Sequence, residues 1–214
     1  LDIQQQVDPV MADKTGAAVV LNARTGEILA MSSHPGYNAD TLDEQWEQLL
    51  ADPDSPLVNR VTQGQYPLGT AIGPFMLARV LRQSDLPEVP SRLNFHLDNQ
   101  QLECAIETEA PATWNKAVQN GCPGAMAVIG RTLSTAQFQE LFQQLGFTTA
   151  PDVDLPVAQP TGTGITASTA RSAVGLSSLR VTPLQMGLAA ASLSNAGVRP
   201  GPRLAMAILT PDQG

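Results

Sequence analysis

Hydroxyl groups near lysines are where nucleophilic chemistry would start in this chain, and it has only two lysines, Lys14 and Lys116. In "TWNK", Thr113 and Lys116 stand three residues apart. On a helix that spacing puts both side chains on one face. An amine there can take the hydroxyl proton and make the oxygen a nucleophile for acyl transfer. The segment also fits a plainer role, with Thr113 as a helix cap and Lys116 on a solvated face. Lys14 lies in "DKTG", just ahead of an apolar, β-rich run. Another hydroxyl, Thr70, lies in "QGQYPLGTAIGPFML" (63–77). That stretch reads as a tight turn feeding a helix, a setting in which enzymes mount a nucleophile. Three residues on stands Gly73, which offers no base. Threonine also carries a methyl group that stiffens it and crowds a tight turn. The plain role for Thr70 is a helix N-cap, worth about 1 kcal/mol.

Other constellations carry less. Asp52 and Asp54 are close in sequence but sit in a polar, Pro-containing stretch that reads as a solvated loop. His34, His96 and the two cysteines have no metal-ligand spacing, so neither a metal nor a cofactor is expected. Phosphate-loop, dinucleotide and Gly-x-Ser-x-Gly motifs are absent. Cys104 and Cys122 lie in no electropositive turn, so thiolate catalysis lacks support. They are either two buried thiols or one disulfide closing a short loop. The 214 residues are 43% hydrophobic and 15% charged, which permits a sizeable core and argues against disorder over most of the length. Net charge is −8 and the pI about 4.6, with no basic stripe. Nucleic acid is therefore not an expected partner, and an anionic membrane surface would repel the chain. No apolar run approaches the roughly 20 residues that span a bilayer, and no signal peptide is recognisable. The chain opens at Leu1 without Met and stops at Gly214 in open coil, the pattern of a piece of a longer protein.

Several elements must position these groups. "LDIQQQVDPVMAD" reads as a helix that Pro9 weakens. "GAAVVLNARTGEILAMSS" (16–33) is two β-rich runs around a short turn ending in Gly26, a hairpin. Leu42, Trp46, Leu49 and Leu50 give helical spacing over 39–52, and a helix is expected again from Thr70 to about Leu81. "RLNFHLDNQQLECAIE" alternates around Asp98-Asn99 and predicts a smaller hairpin. Helices are expected at about 113–120, 123–132 and 134–145, and a long loop over 148–171. In 182–197, Thr182 is a cap candidate, Pro183 takes the first helical position and Gly197 ends the helix. "RLAMAILT" predicts a final strand. A sheet at each end with helices between them implies an α+β layer fold.

The order and wording of these segments resemble the transpeptidase domain of penicillin-binding proteins. "GAAVVLNARTGEILAMSSHPGYNAD" (16–40) resembles that family's first hairpin and following loop. "NRVTQGQYPLGTAIGPF" (59–75) resembles its approach to the nucleophile, N-R-x-x-Q-G-x-Y-P-P-G-S-x-x-K-P-F. "FQQLGF" (142–147) and "AVGLSSLRVTPLQMGLAAASLSNAGVRPGPRLA" resemble later segments, in collinear order. The resemblance implies one transpeptidase-like, β-lactamase-like domain over 1–214, helices on an antiparallel sheet, with the C-terminal sheet strands missing. It places Thr70 at the nucleophile and Gly73 at the lysine base of S-x-x-K. The best register of the second motif, S-x-N, puts Gly121 and Pro123 at the serine and asparagine. The third, K-T-G, falls after residue 209, and Lys14-Thr15-Gly16 is a decoy ahead of the first strand. Loss of a general base alone removes roughly 10²- to 10⁴-fold in rate. The resemblance therefore implies an inactive domain that binds or scaffolds, with Thr70, Tyr66 and Gly175 lining a cleft. Its ligands would be a peptidoglycan stem peptide or a β-lactam, and its partners cell-wall synthesis proteins. The alternatives are an active acyl-transfer enzyme using Thr70 with a base from elsewhere, and an interaction module with no cell-wall ligand. Family membership also implies an extracytoplasmic site on a membrane-anchored parent chain, and hence a Cys104–Cys122 disulfide.

Overall fold

The computed structural model describes residues 2–81, 86–97, 100–107, 113–161 and 168–205. In chain order the main elements are α1 (Asp2–Met11), β1 (Gly16–Leu21), β2 (Ile28–His34), α2 (Leu42–Ala51), α3 (Gly73–Val80), a small hairpin (Phe95–Leu97 and Gln100–Leu102), α4 (Trp114–Gln119), α5 (Pro123–Thr132), α6 (Thr135–Gln144), α7 (Thr169–Ala173) and α8 (Pro183–Ser194). Contacts group them into two units: Leu1–Tyr66 with Leu145–Gln159 and Val181–Gly214, and Pro67–Gln144 with Pro160–Arg180. The Asp98-Asn99 turn and the last expected strand from residue 206 onward lie outside the described residues.

In the first unit, β1 and β2 pair antiparallel, from Gly16 opposite His34 to Leu21 opposite Ile28. The turn between them is held by Asn22, whose side-chain oxygen accepts the N–H groups of Arg24 and Thr25 at 3.0 and 3.3 Å. Alternation puts Ala17, Val19 and Leu21 on one face, packed with Met31 against Val61, Leu184 and Leu188. Each such fully buried leucine or valine contributes roughly 1.5–3 kcal/mol. Helix α8 starts in a capping box. Thr182 Oγ1 accepts the Gln185 N–H, and Gln185 Oε1 accepts the Thr182 N–H. The buried Gln185 amide also donates to the carbonyls of Gly146 and Thr149. Arg203, the first residue of the expected last strand, bridges beside Glu27.

Helix α1 lies along β2. Its half-buried residues are Gln4, Val7, Asp8 and Met11, one helical face. The Gln4 amide accepts from the Met31 N–H (2.8 Å) and donates to the Met31 carbonyl (3.0 Å), closing the outer edge of the strand. That tertiary pairing holds a helix that runs through Pro9 despite the missing N–H. Gln4 also donates to Asp8 Oδ1 at 2.7 Å. The Asp8 carboxyl is held below its ordinary value of 3.8, first by Gln4 and then by the Ser32 hydroxyl, with a smaller favourable charge from His34. A depressed carboxyl stabilises the fold above its unfolded value, and this is lost as pH falls through the folded value. Asp8→Asn should flatten the acid-side loss of stability. Denaturant midpoints at neutral pH and near pH 3 check this. An unchanged acid slope in the variant would refute the coupling.

In the second unit α5 is central, with Pro123–Ala127, Ile129 and Gly130 buried. Small residues let its neighbours approach closely. A Cβ on Gly130 would lie 2.5 Å from that of Ala173, on α7. Here the structure corrects the expected loop over 148–171. Helix α7 begins inside it, capped by Ser168 Oγ accepting the Arg171 N–H. Five residues show no periodicity, and packing on α5 supplies what local propensity does not. Phe138 and Phe142 of α6 are fully buried and meet edge to face at 5.9 Å.

Candidate active site

Thr70 does not cap a helix, contrary to the sequence expectation. It is the second residue of a 3₁₀ turn, Gly69–Ile72, that runs directly into α3. The capping positions fall on Leu68 and Ile72, neither of which makes a side-chain cap bond. The extra tight turn moves the α-helical start past Thr70, whose side chain is left exposed.

The turn is held from behind by a second glycine. Gly69 (φ +52°) donates its N–H to the Gly175 carbonyl at 3.1 Å. Gly175 has φ +73°, and a Cβ there would lie 2.1 Å from the Gly69 oxygen and 2.4 Å from its nitrogen. No side chain fits, so Gly175 supports the Thr70 turn by close backbone approach. Tyr66 belongs to the other unit, where its ring lies over Gly64.

Thr70 and Gly121 are brought together. A Cβ on Gly121 would be 3.2 Å from both Cβ and Oγ1 of Thr70. Gly121 has φ +60°, the conformation that favours glycine, and it offers no hydroxyl. Pro123 takes the first turn of α5, buried and without a polar group. Between them, Cys122 is joined to Cys104 in a disulfide across 18 residues.

Gly73 is buried at the start of α3. A Cβ there would meet the Met126 sulfur at 3.3 Å and Val118 Cγ1 at 3.7 Å. The space ahead of that position is occupied by apolar groups from α5 and α4. The sequence reading missed Met126 because its spacing marks only a core residue of α5.

The two lysines each have a local setting. Lys14 pairs with Asp13 at 3.0 Å on the surface of the first unit. Thr113 Oγ1 accepts the Lys116 N–H and caps α4, with the Lys116 side chain exposed. Asp52 accepts the Asp54 N–H at 2.8 Å in a local turn after α2. No cluster of metal-ligating side chains occurs among the described residues. No helix among them is long and apolar enough to cross a membrane.

The penicillin-binding protein transpeptidase domain model matches residues 16–213, and the chain belongs to that family. It is 29% identical over 216 residues to peptidoglycan D,D-transpeptidase PbpA of Mycolicibacterium smegmatis, covering 92% of this chain and 44% of the relative. It is 36% identical over 86 residues to peptidoglycan D,D-transpeptidase MrdA of Escherichia coli, covering 38% of this chain and 14% of that protein. The crystal structure of PBPA from Mycobacterium tuberculosis superposes with a TM-score of 0.81 at 26% identity, covering 99% of this chain and 55% of that one. That protein is also solved as acyl-enzyme complexes with imipenem and penicillin G. The fold is thus the α+β transpeptidase fold. The chain spans about half the length of the PbpA relatives it matches.

Proposed function

We propose that this chain is a transpeptidase-like domain of peptidoglycan synthesis that has lost acyl transfer and serves as a binding or scaffolding module. The observation that carries the reading is Gly73. The family's base position holds no amine, and the Met126 sulfur stands 3.3 Å from where a side chain would begin. Of the two lysines of this chain, Lys14 pairs with Asp13 and Lys116 is exposed on α4. Gly121 and Pro123 supply neither a relay hydroxyl nor an amide. Losses within one catalytic unit are not additive, but each removes a separate part of the proton path.

A peptidoglycan stem peptide or a β-lactam would be held without covalent attachment, and the partners would be cell-wall synthesis proteins. The domain would work outside the cytoplasmic membrane, tethered by another part of its parent chain. The Cys104–Cys122 disulfide fits an oxidising compartment.

One observation favours a second reading, acyl transfer by Thr70 itself: its side chain is exposed and is not used as a helix cap. Intact mass of the natural full-length protein, before and after penicillin G, separates the two. No mass gain is expected in a sample that melts cooperatively. A gain equal to the drug, mapped to Thr70, would overturn the inactive reading.

A further inference from the structure

The first unit contains a cavity of about 490 Å³ between α1, the end of β2 with its following turn, and the segment 56–59. Its polar wall is built around Asp8. Gln4 holds one carboxylate oxygen, and α1 is itself fixed through Gln4 to Met31. Ser32 stands next to it and is only 2% exposed. Its hydroxyl lies close enough to help lower the Asp8 pKa but completes no hydrogen bond of regular geometry. The Ser32 oxygen is itself shut off from solvent, so it supports the carboxylate from the protein side.

The charge of this wall has only a small favourable contribution, from His34. Among the described residues no lysine or arginine lines the cavity. The nearby Arg60 turns its guanidinium to the Asp54 and Ser55 carbonyls instead. The other titratable groups of the lining are His34 and Tyr37. Tyr37 leaves 47% of its surface exposed, so its ring can be reached from solvent. Leu57 and Val58 give the cavity an apolar side. A fixed carboxylate, an aromatic face and an apolar side are complementary to a cation carried on a hydrocarbon stem.

We infer that this cavity binds a primary ammonium group on a short aliphatic stem, with Asp8 as counter-ion and Tyr37 as aromatic wall. The source is either a lysine-like side chain of a peptide or a free alkylamine. The site stands whether or not Thr70 reacts, because it uses none of the residues of the candidate active site.

Saturation-transfer difference NMR on the natural full-length protein tests the inference with three probes. Nα-acetyl-lysine methylamide and n-butylamine carry the ammonium, and Nα-acetyl-norleucine methylamide has the stem without it. Saturable binding of an ammonium probe, with Kd on the order of 1 mM, is expected, and none for the norleucine probe. Binding of the lysine probe alone would assign a peptide source, and binding of both amines a site for the bare group. Asp8→Asn should weaken binding about tenfold or more. Tyr37→Leu, at an exposed position, should weaken it about threefold without unfolding the chain. It decides the matter if Asp8→Asn does not fold. Equal binding of the norleucine probe, no saturable signal, or unchanged affinity in folded variants would overturn the site.

Discussion

Gly175→Ala is expected to cost the fold at least about 3 kcal/mol. A Cβ at this position has nowhere to go. It would lie 2.1 Å from the Gly69 carbonyl oxygen and 2.4 Å from the Gly69 nitrogen, both backbone atoms that no rotamer change can move. The φ of +73° adds a second cost of about 1–2 kcal/mol for a residue with a side chain. Relief would require separating the two backbones and breaking the 3.1 Å bond from the Gly69 N–H to the Gly175 carbonyl. The 3₁₀ turn that carries Thr70 would then lose its support. Gly197→Ala is the control, because its φ is +83° but a Cβ there meets nothing within 4 Å. That variant should show only the conformational cost. Denaturant unfolding of both, followed by circular dichroism, gives the comparison. If the two variants cost the same, the close approach of Gly69 and Gly175 is wrong.

Removing the disulfide, with Cys104→Ala and Cys122→Ala together, should lower stability by about 3 kcal/mol. That is the chain-entropy value for a loop of this length, here a separation of 18 residues. For a domain of this size the melting point should fall by roughly 6–12 °C. The bond also fixes the start of α5. Cys122 is fully buried, donates its N–H to the Ala117 carbonyl at 2.8 Å and directly follows Gly121, the residue against Thr70. Loosening it should therefore raise amide hydrogen exchange at Gly121, Cys122 and Gly124 before the rest of α5. Reductant should shift the parent protein toward the variant and leave the variant unmoved. A parent protein indifferent to a strong reductant, with two titratable thiols, would show that the cysteines are reduced.

Much of the scaffold is local and was legible for that reason. The hairpin over 16–34 follows from alternation around a turn that Asn22 closes with its own side chain. The starts of α4 and α8 follow from Thr113 and Thr182, whose hydroxyls bond N–H groups three residues on. The absence of an amine at position 73 was equally plain, since the chain's two lysines are Lys14 and Lys116.

Where the sequence reading went wrong, distant contacts decided. Thr70 is composed like a cap, yet a 3₁₀ turn held by Gly175, more than 100 residues away, moves the helix start beyond it. Helix α2 forms with the expected spacing, but Trp46 and Leu50 remain 45% and 57% exposed, because spacing prescribes a face and not what covers it. Local propensity, capping and alternation act over a few residues, so the amino-acid sequence alone determined most elements of this transpeptidase-family chain, α7 and the 3₁₀ turn at Thr70 excepted, and the glycine at position 73. The filling of the space before Gly73 by Met126, the approach of Gly121 to Thr70 and the assembly of Asp8 with Ser32 join residues 24 to 53 positions apart. Only tertiary structure could decide them, because close packing responds to shape across the fold, which no local pattern records.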